Sequence, residues 1–213
     1  MKRHAAALLV AVATGFTSLA HAAPVTGTYT VGGATTGTGP WTLTSTDTTF
    51  SILRFVFDSP MKFADLTSLS VDYIANLGGI AGGAPRVAFV VDTNNDNVAD
   101  GSFEVHFGPA GSFVDPTLGP GNTGNLLALT DLGRYDLSGL MGSAYTDRTA
   151  ALALAGNYNV LRTSLILDSF GGNDRNFTVN GISVAGNATA IPEPASLALL
   201  ALGALGFLAR RRG

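Results

Sequence analysis

The chain contains no cysteine. Disulfides, thiolate metal sites and cysteine nucleophiles are therefore excluded within it, and its core must hold by packing alone. Tryptophan is almost absent too: Trp41 is the only one, which gives poor material for a sugar-stacking platform. Of the three histidines, only His106 lies away from the N-terminal end. A hydrolytic triad needs a nucleophile, a histidine and an acid brought together by the fold, and no Gly-x-Ser-x-Gly elbow is present. A glycosidase needs two carboxylates at about 5 or 6.5–9.5 Å, a spacing that sequence does not display. The chain therefore reads as non-enzymatic, with a hydrolase built around His106 the less favoured alternative. It also lacks a full-length membrane span. The longest uncharged apolar run at the C-terminal end, Ala195 to Ala209, is short against the roughly 17–25 residues a helix needs to cross a bilayer core.

Both ends are nevertheless built for a membrane. Lys2 and Arg3 form a basic start, Ala5 to Ala13 is apolar, and Ala20-His21-Ala22 is a small-x-small cleavage site. This reads as a secretory signal peptide over residues 1–22, with Ala23 the first mature residue. The other end begins with Ile191-Pro192-Glu193-Pro194. Its prolines fix φ and remove backbone donors, so no helix or sheet continues through them. The apolar run follows as a single membrane helix, whose flanking polar groups must snorkel or whose bilayer must thin. Arg210, Arg211 and Arg212 close the chain and hold that end in the cytoplasm by the positive-inside rule.

This order of Pro-Glu-Pro, short apolar helix and basic terminus resembles the PEP-CTERM sorting signal of Gram-negative bacteria, with Ile191 where the family usually has Val. The resemblance covers residues 191–213. It implies use of the secretion machinery, a transient stay in the inner membrane, and processing by exosortase, a membrane-embedded cysteine transpeptidase. It also implies final placement at the cell surface or in an extracellular matrix.

Between the ends, seven basic residues stand against many acids. All fifteen acidic residues lie outside the signal and the terminal helix, leaving a net charge of about −8 there. Such a body offers no basic patch for nucleic acid. Its size, about 170 residues, suits one domain with a real core.

Short apolar runs separated by Gly, Thr, Ser, Asn and Asp predict an all-β sandwich over residues 23–186, with 187–190 as linker. Strands are expected over Val25–Val31, from Trp41, over Phe50–Phe57 ended by Asp58-Ser59-Pro60, and over Leu69–Ile74. Further strands are expected over Val87–Val91, Ser102–Phe107, Asn122–Thr130 and Val160–Leu167. Phe63–Leu66 reads as a turn or one helical turn, Leu132–Gly142 as irregular, and Thr149–Ala155 as a short helix. Asn180-Gly181 marks either a hairpin between Phe177–Val179 and Ile182–Val184 or a bulge in one long strand. The glycine-rich stretch Gly78–Pro85 lacks the lysine and the following helix of a phosphate loop. Ala84-Pro85-Arg86, Phe107-Gly108-Pro109 and Leu167-Asp168-Ser169 resemble, loosely, a recurring ectodomain of PEP-CTERM proteins. That resemblance implies a jelly-roll-like sandwich of unassigned activity.

The best candidate site is Asp92-x-Asn94-x-Asp96-x-Val98-x-Asp100. Oxygen ligands at alternate positions, with the Val98 carbonyl among them, suit calcium. Asn97 stands where glycine is usual, and Asn tolerates the left-handed backbone needed there. Equally, Asn and Asp favour ordinary turns. A carbohydrate-binding module for extracellular polysaccharide, stabilised by calcium, is the alternative to a surface protein without a ligand. Alternation also sets Glu104 and His106 on one face of their strand.

Overall fold

The computed structural model describes residues 22–187, apart from 33, 82, 110–112 and 170–172. The chain opens with three short strands, β1 (Ala22–Pro24), β2 (Gly27–Val31) and β3 (Ala34–Thr35). In β4 (Trp41–Ser45) the alternation is strict: Trp41, Leu43 and Ser45 are buried, Thr42 and Thr44 exposed. Two long strands follow, β5 (Phe50–Lys62) and β6 (Leu66–Leu77), joined by a 3-10 turn at Phe63–Asp65. Then come β7 (Ile80–Ala81), β8 (Arg86–Asp92), β9 (Gly101–His106), β10 (Val114–Asp115), β11 (Gly119–Asn122) and β12 (Tyr135–Asp136). Helix α1 (Arg148–Ala155) is capped by Asp147, whose side chain accepts from the Ala150 N–H. The long strands β13 (Asn159–Asp168) and β14 (Arg175–Asn187) complete the body.

Eight of these strands form two antiparallel sheets, β4-β14-β6-β11 and β5-β13-β8-β9. Taken in chain order, the strands change sheet at every step except one, the β8–β9 hairpin. This is the two-Greek-key order of a jelly roll. β1 extends the first sheet, while β12, β2 and β3 extend the second. The sheets face each other across one apolar core. Leu43, Val71, Phe177 and Val179 come from the first sheet, Phe89, Val105, Leu165 and Leu167 from the second. Phe63 lies edge-on to Phe89 and Phe103, with ring centroids 5.3 and 4.8 Å apart.

Three expectations need correction. β5 does not end at Asp58-Ser59-Pro60. Val56 lies opposite Arg162 and Met61 opposite Val160, so residues 57–60 face a single residue of β13. Pro60 has no N–H to give a ladder, and a bulge is where a strand accepts it. Asn122–Thr130 is not a strand. β11 stops at Asn122, and Leu126–Ala128 form a 3-10 turn that buries Leu126 and Leu127. Asn125 caps that turn, its Oδ1 accepting from Leu127 N–H at 3.0 Å and Leu69 N–H at 3.1 Å. Leu132–Gly142 is more ordered than expected, since it carries β12 and a 3-10 turn at Ser138–Leu140. At Asn180-Gly181, β14 runs straight through. Val179 pairs with Tyr73 and Gly181 with Asp72, leaving Asn180 as the extra residue of a bulge.

Among the described residues no helix is long and apolar enough to cross a membrane. Residues 1–21 of the expected signal peptide, and the expected membrane helix, lie outside the described residues.

Candidate functional site

The acidic loop joins β8 to β9, closed by the Asp100 N–H donating to the Val91 carbonyl. Asp92 is fully buried at its base. Its Oδ1 accepts from Asn94 and Asn95 N–H, and its Oδ2 from Asn97 N–H at 2.8 Å. Burial alone would raise the Asp92 pKa, but the backbone N–H donors outweigh it and hold the carboxyl below its usual range. The next two Asx residues repeat the motif: Asn94 accepts from Asp96 N–H at 3.0 Å and Asp96 from Val98 N–H at 2.8 Å. Asp100 accepts from both the amide and the hydroxyl of Thr93, each at 2.7 Å. Asn95 and Asn97 take left-handed φ of 66° and 63°. The alternate spacing is therefore a run of Asx turns, and Asn97 adopts the conformation expected of it. Asn94, Asp96, Val98 and Asp100 all lie exposed on the loop.

A second polar cluster sits on the non-core face of the larger sheet. Arg86 on β8 pairs with Glu104 on β9 at 2.7 Å and with Asp168 on β13 at 2.6 Å. Burial alone would lower the Arg86 pKa, but the two carboxylates reverse this and hold it above its ordinary value. Arg86 lies directly across the ladder from His106, and Phe107 N–H donates to the Pro85 carbonyl. The three loose motifs noted in sequence thus converge: Pro85-Arg86, Phe107 and Asp168 meet at one end of three adjacent strands. His106 is buried, as Arg134 also is, and Arg134 donates to the His106 and Phe107 carbonyls and pairs with Asp131. From edge strand β12, Asp136 lies directly opposite Glu104. One ligand-capable atom from each of Glu104, His106 and Asp136 falls within 4.8 Å of the other two. Glu104 and His106 share a face as expected. Asp136 was missed, because it arrives from a two-residue strand inside a stretch that reads as irregular.

The glycine-rich stretch serves an arginine. Arg175, 2% exposed, donates to the Ala84 carbonyl at 2.6 Å, the Ala81 carbonyl at 2.9 Å and the Gly79 carbonyl at 3.4 Å. Gly78 has a φ of 87°, and a Cβ there would stand 2.6 Å from the Asp174 carbonyl and 2.8 Å from the Arg175 side chain. Desolvation holds the Arg175 pKa below its ordinary value, with Asp168 opposing.

Of the expected sorting residues, Ala22 and Ala23 lie on β1, paired with Asn187 and Gly186. Ala20, Pro192, Glu193, Pro194 and Arg210 to Arg212 lie outside the described residues. Residues 190–212 match the PEP-CTERM protein-sorting motif. The PEP-CTERM match takes in the Pro-Glu-Pro triplet, the whole apolar run and the arginine cluster. Such a motif implies export and handling by exosortase. No curated protein matches the chain. One solved structure, that of PfGH50B, aligns over 79% of this chain and 24% of its own length, at 12% identity and a TM-score of 0.39. A likeness at that level carries no argument about fold or activity.

Proposed function

We propose that this is a non-enzymatic surface or matrix protein, exported by its signal peptide and held briefly in the inner membrane by residues 195–209. Exosortase then cuts near Pro192-Glu193-Pro194, and the sandwich is released or attached outside the cell. The observation that carries this reading is the PEP-CTERM match at residues 190–212. The physics of the segment supports it. The prolines keep the backbone extended and accessible at the cut, and Arg210 to Arg212 keep the tail on the cytoplasmic side.

A second reading concerns the β8–β9 loop, which binds calcium to stiffen itself rather than to catalyse. Its support is the exposed row of Asn94, Asp96, the Val98 carbonyl and Asp100 on a loop that Asp92 already holds in shape.

Intact-mass measurement of the protein from surface and culture fractions of its native host tests the sorting reading. The expected chain begins near Ala23 and ends near the Pro-Glu-Pro triplet, with any added mass at that end identifying the attached group. A chain that keeps Arg210 to Arg212 in every fraction overturns it and makes the protein a permanent membrane anchor.

A further inference from the structure

His106 is oriented as metal-ligating histidines are. Its Nδ1 lies 3.0 Å from the Gly83 carbonyl. A carbonyl only accepts, so Nδ1 is the donor of this bond, which leaves the lone pair of a neutral ring on Nε2. That Nε2 is buried without a hydrogen-bond partner, in a residue only 4% exposed. A hydrogen bond from the other ring nitrogen to a backbone carbonyl is how metal-ligating histidines are oriented.

The surroundings supply the rest of a ligand set. Glu104 and Asp136 stand directly opposite on β9 and β12, an arrangement that repels when both are charged. Glu104 gives one oxygen to Arg86, and Asp136 gives Oδ1 to the Ser138 N–H. Each carboxylate keeps its other oxygen without a hydrogen-bond partner among the described residues. Arg86 is shared between Glu104 and Asp168, and Arg134 pairs with Asp131. One guanidinium set against Glu104, Asp168 and Asp136 leaves the cluster with an excess of negative charge. A cleft of about 160 Å³ lined by Glu104, Asp136, Ser102 and Ser138 opens beside the two carboxylates.

We propose that Glu104, His106 and Asp136 form a site for one divalent transition-metal ion, of the zinc, cobalt or manganese class. One imidazole and two carboxylates suit those ions, whereas calcium takes an all-oxygen shell. Tetrahedral ligation at about 2.1 Å spaces ligand atoms about 3.4 Å apart. The present spread of up to 4.8 Å closes by rotation of the carboxylate arms. The ion neutralises the facing carboxylates and pins the edge strand β12 to β9. The site is independent of how the chain is sorted and of calcium in the β8–β9 loop.

The test uses the full chain, purified in non-ionic detergent and stripped with chelator. Cobalt(II) is titrated by calorimetry and by its visible absorption, which reports nitrogen and oxygen ligation. The expected result is one ion per chain, undisturbed by millimolar calcium. Losing an outer-shell partner alone weakens metal binding about 10–100-fold. His106→Gln and Asp136→Asn should therefore each weaken it at least about tenfold, and Asp96→Ala should leave it unchanged. Asp136 is half-buried on a two-residue edge strand, so Asp136→Asn decides the matter should His106→Gln fail to fold. No cobalt binding by the unmodified chain, or binding that Asp136→Asn leaves intact, overturns the proposal. So does binding that Asp96→Ala removes.

Discussion

Replacing Arg175 by alanine tests whether the glycine-rich stretch is organised around a buried cation. The guanidinium makes two short bonds, to the Ala84 carbonyl at 2.6 Å and the Ala81 carbonyl at 2.9 Å. Bonds to charged groups contribute about 1.5–3 kcal/mol each, so the two together reach about 3–6 kcal/mol. Two effects reduce this. Taking the charge out of water is itself unfavourable, and a cleft beside Gly78, Ala81 and Arg175 lets water reach the freed carbonyls. A loss of about 3 kcal/mol is expected. For a domain of this size about 1 kcal/mol moves Tm by about 2–4 °C, so the midpoint should fall by about 6–12 °C. Urea unfolding gives the free energy directly. Arg175→Lys should lose most of the same amount, because one ammonium cannot reproduce the fork. Gly78→Ala should also destabilise, since its φ of 87° is one that alanine resists. A change below about 1 kcal/mol in Arg175→Ala would show that the loop holds without the arginine, and the reasoning would fall.

Two further predictions use other parts of the body. Burial raises the Tyr135 pKa to about 12, against the opposing charges of Arg148 and Arg134. A group whose folded pKa is raised binds its proton more tightly when folded, so its stability is whole below about pH 10 and is lost as pH climbs toward 12. Tyr135→Phe should flatten that slope in unfolding measured against pH. It should be near neutral at pH 7, because the buried hydroxyl has no partner to lose; an unchanged slope would count against the assignment. For the β8–β9 loop, about 10 mM calcium against sites of 10⁻⁴–10⁻³ M affinity should add about 1.4–2.7 kcal/mol, or about 3–11 °C. Asp96→Ala should remove the gain, and equal midpoints with calcium and with chelator would refute calcium binding.

The strands that alternate cleanly were legible in sequence, and the reason is local. β4 alternates buried and exposed residues strictly, β6, β8 and β13 are runs rich in apolar and β-branched residues, and α1 announces itself by an alanine- and leucine-rich run after Asp147. What escaped depended on contacts made elsewhere. Pro60 reads as a strand end, yet β13 accommodates it with a bulge. Leu126 and Leu127 read as strand, yet Asn125 bonds to both the turn and Leu69 of β6, which only tertiary packing can reveal. An Asn directly before a short apolar run is a cap signal that could have been weighed. The second polar cluster was half visible: periodicity put Glu104 beside His106, but Asp136 joins them through a pairing across about 30 residues. The structural arginines 134 and 175 left no trace at all, since a lone arginine among turns reads as solvated.

The pairing of Ala22 with Asn187 has a mechanical meaning. Whatever precedes residue 22 and whatever follows residue 187 leave the sandwich at the same corner of one sheet. A body tethered through both leads hangs from a single point: pull on the first lead is carried by the three-residue strand β1 against β14, and pull on the second by β14, which is paired to β6 as well. Cutting one lead leaves the body in the same attitude on the other, so the order in which the two ends are cut need not disturb its fold.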